Sequence, residues 1–200
     1  MQRSQMKDIQ DKDSVVINIG CGRRRIPGAI GIDNINLPSV DIVADIEQGL
    51  PFLEDNSVDI VIAESILEHV DNFESLIREV HRVLKPEGEL RVEAPHFSNP
   101  YYFSDYTHKR FFGLYTFDYF VDDAKQTMKR SVPDYYTDIR FTIESREIFF
   151  YSPFRWRRKL LKIPLTYIVN LNRWVREFYE ENLCWLFPCY GLKFIIKPVK

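Results

Sequence analysis

Surplus positive charge is missing from this chain. The formal net charge is -2 over 200 residues, whereas a dedicated nucleic-acid binder carries a marked basic excess, so DNA is not an expected partner. Cysteine is scarce: Cys21, Cys184 and Cys189 cannot all pair. Cys21 also sits inside a glycine loop, which points to a reducing, cytoplasmic setting rather than a disulfide scaffold. No His or Cys pair has the spacing of a zinc site, so no metal is expected from sequence. Apolar runs long enough to span a bilayer are absent. The first residues, Met1 to Ser14, are polar and charged where a signal peptide needs an apolar stretch. There is no internal repeat and no low-complexity tract, and the length implies one domain, 1–200, able to bury a core without staples.

What is there begins with three apolar runs, each ending in Gly or Asp. Val15 to Ile19 runs into Gly20, Cys21 and Gly22; Ile30, Gly31 and Ile32 end in Asp33; Ile42, Val43 and Ala44 end in Asp45. Unbroken Val and Ile suit strands buried on both faces, and Gly-x-Gly at a strand's carboxyl end lets a ligand approach the backbone closely. A carboxylate ending the second strand can accept both O–H bonds of a ribose diol, and Asp45 is placed to read an adenine edge. The dinucleotide-binding fingerprint is incomplete. Arg25 stands where its third glycine belongs, and the stretch from Gly22 to Asp33 is too short for the helix that would hold a pyrophosphate.

Strands are predicted near 15–19, 29–33, 40–44, 58–63 and 89–94. Between the last two, Phe73, Leu76, Ile77, Val80, Val83 and Leu84 recur at helical spacing. Asp71 with Glu74 forms a capping-box-like start, and Lys85 to Gly88 ends the helix. Strand, helix, strand implies a right-handed parallel crossover. After Pro95 the texture turns aromatic and loop-rich. Two late β-like runs, Ile139 to Tyr151 and Leu192 to Pro198, suit an antiparallel pair at the sheet edge. Between them, Leu165, Ile168, Leu171, Val175 and Phe178 read as an amphipathic helix. Residues 148–176 hold no acidic side chain but include Arg155, Arg157, Arg158, Lys159, Lys162, Arg173 and Arg176. This run is a solvated basic face or a contact to a phosphorylated, acidic or membrane-surface partner.

With these residues in view, the chain resembles the class I S-adenosylmethionine-dependent methyltransferases. The motifs that carry the resemblance are Gly20-Cys21-Gly22, Gly31-Ile32-Asp33, Ala44-Asp45-Ile46, Leu50-Pro51-Phe52, Ser57 to Val61, Leu67-Glu68-His69-Val70 and Arg82 to Gly88. In combination and order they are specific, and they span about residues 14–96. The resemblance implies an α/β fold: a doubly wound, mostly parallel, seven-stranded Rossmann-like sheet with an antiparallel C-terminal strand. Residues 14–96 would bind the cofactor, and 97–138 with 152–188 would form an aromatic cap over the substrate. It implies S-adenosylmethionine as cofactor, with Gly20, Cys21 and Gly22 against the methionine part, Asp33 on the ribose, Asp45 and Ile46 flanking the adenine, and Glu64 facing the sulfonium end. Asn18 stands where the family commonly has an acid. The loop Arg23 to Gly28 replaces most of the first helix, so Arg23, Arg24 or Arg25 either meets the cofactor carboxylate or is solvated.

Methyl transfer is an in-line displacement, and positioning can lower its barrier by about 7–11 kcal/mol. A base is needed only for a hydroxyl or ammonium acceptor. His81, beside the apolar stripe of the helix, reads as structural, and His69 as either structural or catalytic. His96 directly follows the fifth strand, and His108 has Asp105 three residues away as an orienting partner, so His96, His108 and Asp105 are the catalytic candidates. Asn99-Pro100-Tyr101-Tyr102 reads as a turn rather than an amine-binding motif. The expected acceptor is an oxygen on a small molecule or carbohydrate. A cofactor-binding scaffold without catalysis and an RNA or protein N-methyltransferase are the rivals.

Overall fold

The computed structural model describes residues 14–200, without the side chains of 157–159. The polar leader before Ser14, and Arg157, Arg158 and Lys159 of the basic run, therefore lie outside the described residues. The strands are β1 Val16–Ile19, β2 Ile30–Asp33, β3 Ile42–Val43, β4 Val58–Glu64, β5 Leu84–Pro95, β6 Arg140–Phe149 and β7 Gly191–Val199. They form one sheet in the order β3-β2-β1-β4-β5-β7-β6. The pairs among β1 to β5 are parallel, and β7 runs antiparallel to both β5 and β6. The seven-stranded, mostly parallel sheet is thus the one expected, with the two late runs at its edge. The order winds outward in both directions from β1 and β4, so the strand tips at that switch point are where a ligand finds a crevice. Ile17 and Ile19 on one face of β1 and Asn18 on the other are all buried, as in a parallel sheet covered on both faces.

The long helix, α1 (Phe73–Val83), buries Leu76, Ile77, Val80 and Val83. Its start differs from the expected capping box. The N-cap is Asn72, without a side-chain bond. Asp71 instead takes the ammonium of Lys109 at 2.5 Å, while the Glu47 carboxylate accepts the Asp71 and Asn72 N–H groups at 3.0 and 3.2 Å. Tertiary partners have taken over what a local motif would supply. The helix also runs directly into β5, so Lys85 to Gly88 belong to the strand rather than to a loop. The single amphipathic helix expected around 165–178 is two, α2 (Ile163–Val169) and α3 (Arg173–Asn182). Asn172 breaks the run by capping α3, accepting from Val175 N at 3.0 Å.

The aromatic second half divides in two. Residues 97–108 reach the strand tips. Phe112, Leu114, Phe117 and Phe120, by contrast, are core: Phe73 of α1 touches three of them, Phe117 meets Phe194 of β7, and Phe120 meets Phe141 of β6. Arg146 forms a two-pronged ion pair with Asp118, at 2.7 and 3.0 Å, and donates to the Leu114 carbonyl at 2.7 Å. His81 is structural, as expected, with Nε2 on the Val199 carbonyl at 3.0 Å and its ring edge-on to Phe141.

Candidate active site

Two clefts of 230 Å³ each lie at the C-terminal strand tips, on either side of the turn that follows β4. His69 lines both. The first is walled by Gly20, Asp33, Asp45, Ile46, Ile66 and His69 among others. Gly20 sits at φ +62°, and a Cβ there would run into the Ile66 side chain, so only glycine lets the backbone form this wall. Gly22, at φ +50°, has open space where a Cβ would be. The Asp33 carboxylate accepts Gly22 N at 2.8 Å and Ile35 N at 3.0 Å, one bond to each oxygen. Each oxygen keeps a second lone pair for a ligand diol. Asp45 caps the short turn Ile46–Gln48, accepting from Glu47 N at 3.0 Å, and so presents buried Ile46 to the cleft. A glycine-backed slot with a carboxylate at its mouth and an apolar wall fits an adenosyl group. Bound there, S-adenosylmethionine would supply an electrophilic methyl on sulfur.

Other residues predicted for this cleft lie elsewhere. The Cys21 side chain is buried beneath β2, with its sulfur 3.9 Å from the Ser39 carbonyl, because the turn at Gly20 points it away from the cleft. Glu64 lines a different groove with Arg91, Glu93 and Lys193, and pairs with Arg24. Strand alternation places it on the opposite side of β4's tip. Arg25 is tied to Asp41 at 3.2 Å.

The second cleft is lined by Ser65, Glu68, His69, Glu93, Asn99, Tyr101, Tyr102, Asp105, His108, Phe149 and Tyr190, with Ala94 and Pro95. The segment after Asp105 is strapped across the β4 turn. Lys109 N donates to the Glu68 carbonyl at 2.7 Å and Arg110 Nε to the Val70 carbonyl at 2.9 Å. That strap brings His108 and Asp105 together, with His108 Nε2 3.6 Å from Asp105 Oδ2. His96 is not in the cleft. It is completely buried; Ser98 N donates to its Nδ1 at 3.0 Å, which leaves Nε2–H to donate to Glu180 at 3.0 Å. Both ring nitrogens are committed to packing the end of β5 onto α3.

Sequence reasoning passed over Glu68. It is 1% exposed, and its Oε2 has no hydrogen-bond partner. Burial, with the Asp105 and Glu93 carboxylates nearby, pushes its pKa up to about 7. Burial lowers the pKa of His69, favouring neutral imidazole. The available signal was a carboxylate beside a histidine within Leu67-Glu68-His69-Val70, whose flanking Leu67 and Val70 are buried. Asn99 behaves as the turn it resembled: its amide donates to Tyr190 O at 2.8 Å and accepts from Tyr101 N at 2.9 Å.

Residues 18–92 match the family model described as a methyltransferase domain. No curated protein matches the chain. A SAM-dependent methyltransferase from Archaeoglobus fulgidus is similar at 20% identity over 98% of this chain and 90% of its own, with a TM-score of 0.55. The 1,6-didemethyltoxoflavin-N1-methyltransferase of Burkholderia thailandensis, solved with its substrate and S-adenosylhomocysteine, is similar at 11% identity over 100% of this chain and 78% of its own, with a TM-score of 0.53. The YcgJ protein of Bacillus subtilis gives 16% identity, 98% and 97% coverage, and a TM-score of 0.50.

Proposed function

We propose that this chain is an S-adenosylmethionine-dependent methyltransferase, a reading supported by the methyltransferase-domain match over residues 18–92, and that it methylates an oxygen of a small-molecule or carbohydrate acceptor held in the second cleft. The observation that carries this reading is the shared wall: His69 borders both clefts, and the second gathers His108, Asp105 and Glu68 at one pole against aromatic walls. These groups accept a hydrogen bond or proton from a hydroxyl. The Asn99 amide is held as a turn by Tyr190 O and Tyr101 N. Asp33, Gly20, Asp45 and Ile46 bind the cofactor, and His108 with Asp105 orients the acceptor hydroxyl.

Replacing His108 by Ala is expected to lower turnover of a hydroxyl acceptor by about 10²–10⁴-fold, with S-adenosylhomocysteine affinity retained in calorimetry. An equal loss of cofactor binding would assign His108 to the fold instead.

The basic segment has a partner of its own in this reading, an anionic membrane surface. Trp156, Leu160, Tyr167, Leu171 and Trp174 are each more than half exposed. They share a stretch free of acidic side chains, the composition of an interfacial helix. Among the described residues no helix is long and apolar enough to cross a membrane. Sedimentation with phosphatidylglycerol vesicles, but not with phosphatidylcholine vesicles, is the expected result, weakened in a Trp156→Ser, Leu160→Ser variant. Equal recovery with both vesicle types would remove the charge argument.

A further inference from the structure

Glu68, His69 and His108 place one ligand atom each within 4.8 Å of the others. His69 Nε2 and His108 Nε2 each lie 4.0 Å from Glu68 Oε1, and Asp105 Oδ2 is 3.6 Å from His108 Nε2. The other nitrogens of both rings are fixed. His108 Nδ1 meets the Tyr102 carbonyl at 3.0 Å, and a carbonyl only accepts, so Nδ1 carries the proton. His69 Nδ1 meets the Thr107 carbonyl at 3.3 Å and the Thr107 hydroxyl at 2.9 Å. That hydroxyl donates to Asp105 Oδ1 at 2.5 Å, so it too accepts from the ring. Each Nε2 is then the ring atom that faces the carboxylates, 4.0 Å from Glu68 Oε1, and the buried Glu68 Oε2 has no hydrogen-bond partner. Nδ1–H anchored on an oxygen with Nε2 free is the arrangement that orients a metal-ligating histidine.

We propose that Glu68, His69 and His108, joined by Asp105, bind a first-row divalent cation at the floor of the second cleft. Two neutral imidazoles and two carboxylates balance a charge of +2. Imidazole nitrogen in the set favours zinc, iron or the like, with cobalt as a spectroscopic stand-in, over magnesium and calcium. A small inward movement of the side chains gives bond lengths of about 2.0–2.2 Å. The spacing was invisible in sequence because the ligands come from two segments joined only by the strap across the β4 turn. Tyr101, Tyr102 and Tyr190 line the same cleft, and a cation held there would polarise an acceptor oxygen bound beside it; that role, unlike the cation site itself, rests on the hydroxyl-acceptor reading.

The test is titration of the purified protein with Co²⁺, followed by visible absorption, with and without S-adenosylhomocysteine. A saturable band from low-symmetry cobalt, at one cation per chain, is expected. It should vanish in Glu68→Gln and His108→Ala. In Thr107→Val, which touches no cation but loosens the His69 anchor, the cobalt affinity should fall about 10–100-fold. Calorimetric S-adenosylhomocysteine binding reports whether each variant is folded. No saturable band in protein that binds S-adenosylhomocysteine overturns the site, as does a band unchanged in folded Glu68→Gln and His108→Ala. A band in protein that fails to bind S-adenosylhomocysteine supports the site and instead removes the methyltransferase reading.

Discussion

Asp118→Asn is expected to lower the unfolding free energy by about 3–5 kcal/mol, the cost of leaving a buried guanidinium without its counter-charge. Asp118 is 1% and Arg146 7% exposed. The pair is two-pronged, and the third guanidinium bond goes to the Leu114 carbonyl. Removing the carboxylate charge leaves Arg146 without water and without an anion. A domain of this kind has about 5–15 kcal/mol in total, so the variant should unfold at markedly lower urea. The double variant Asp118→Leu, Arg146→Met should recover much of the loss, since an apolar pair can replace a buried ion pair at little net cost. Urea denaturation followed by circular dichroism measures both. A single-variant midpoint equal to that of the parent would mean that water reaches the pair.

Asp33→Ala is expected to remove cofactor binding. An adenosyl diol would make two hydrogen bonds to this carboxylate, each contributing about 1.5–3 kcal/mol when one partner is charged. Their loss alone weakens binding by roughly 10²–10⁴-fold. Asp33 also holds Gly22 N and Ile35 N, so the glycine loop loses its tether in the same step. Asp33→Asn keeps one acceptor oxygen and should bind with intermediate affinity. Calorimetry with S-adenosylmethionine and S-adenosylhomocysteine separates the three proteins. Undiminished affinity in Asp33→Ala would place the adenosyl group elsewhere.

The first cleft was readable because its parts are local. A glycine at a strand tip, a carboxylate at the end of the next strand and Asp45 after the third each follow from strand periodicity and turn chemistry. Once the strands are parallel, those tips converge without further information. Cys21 and Glu64 were misplaced for a related reason. Neighbouring a motif in sequence does not put a side chain on the motif's face: the turn at Gly20 sends Cys21 under β2, and strand alternation sends Glu64 to the other side of β4. The β6 strand shows the same limit. Its register shifts between Ile143 and Ser145, so Phe141 and Arg146 share the buried face although alternation alone would separate them. Nothing in the run from Ile139 to Tyr151 marks Arg146 as the buried charge.

By itself, then, the sequence determined the sheet, its winding and the carboxylates along the first cleft, since these depend on apolar periodicity and on residues within one turn of a strand end. Only the tertiary structure decided the second cleft. His108 and Asp105 reach Glu68 and His69 because backbone bonds from Lys109 and side-chain bonds from Arg110 strap one loop across another. His96 was drawn into the interior by Ser98 and Glu180, a partner 84 residues away. Long-range contacts of that kind are set by how layers pack, and a chain of residue types carries no local trace of them.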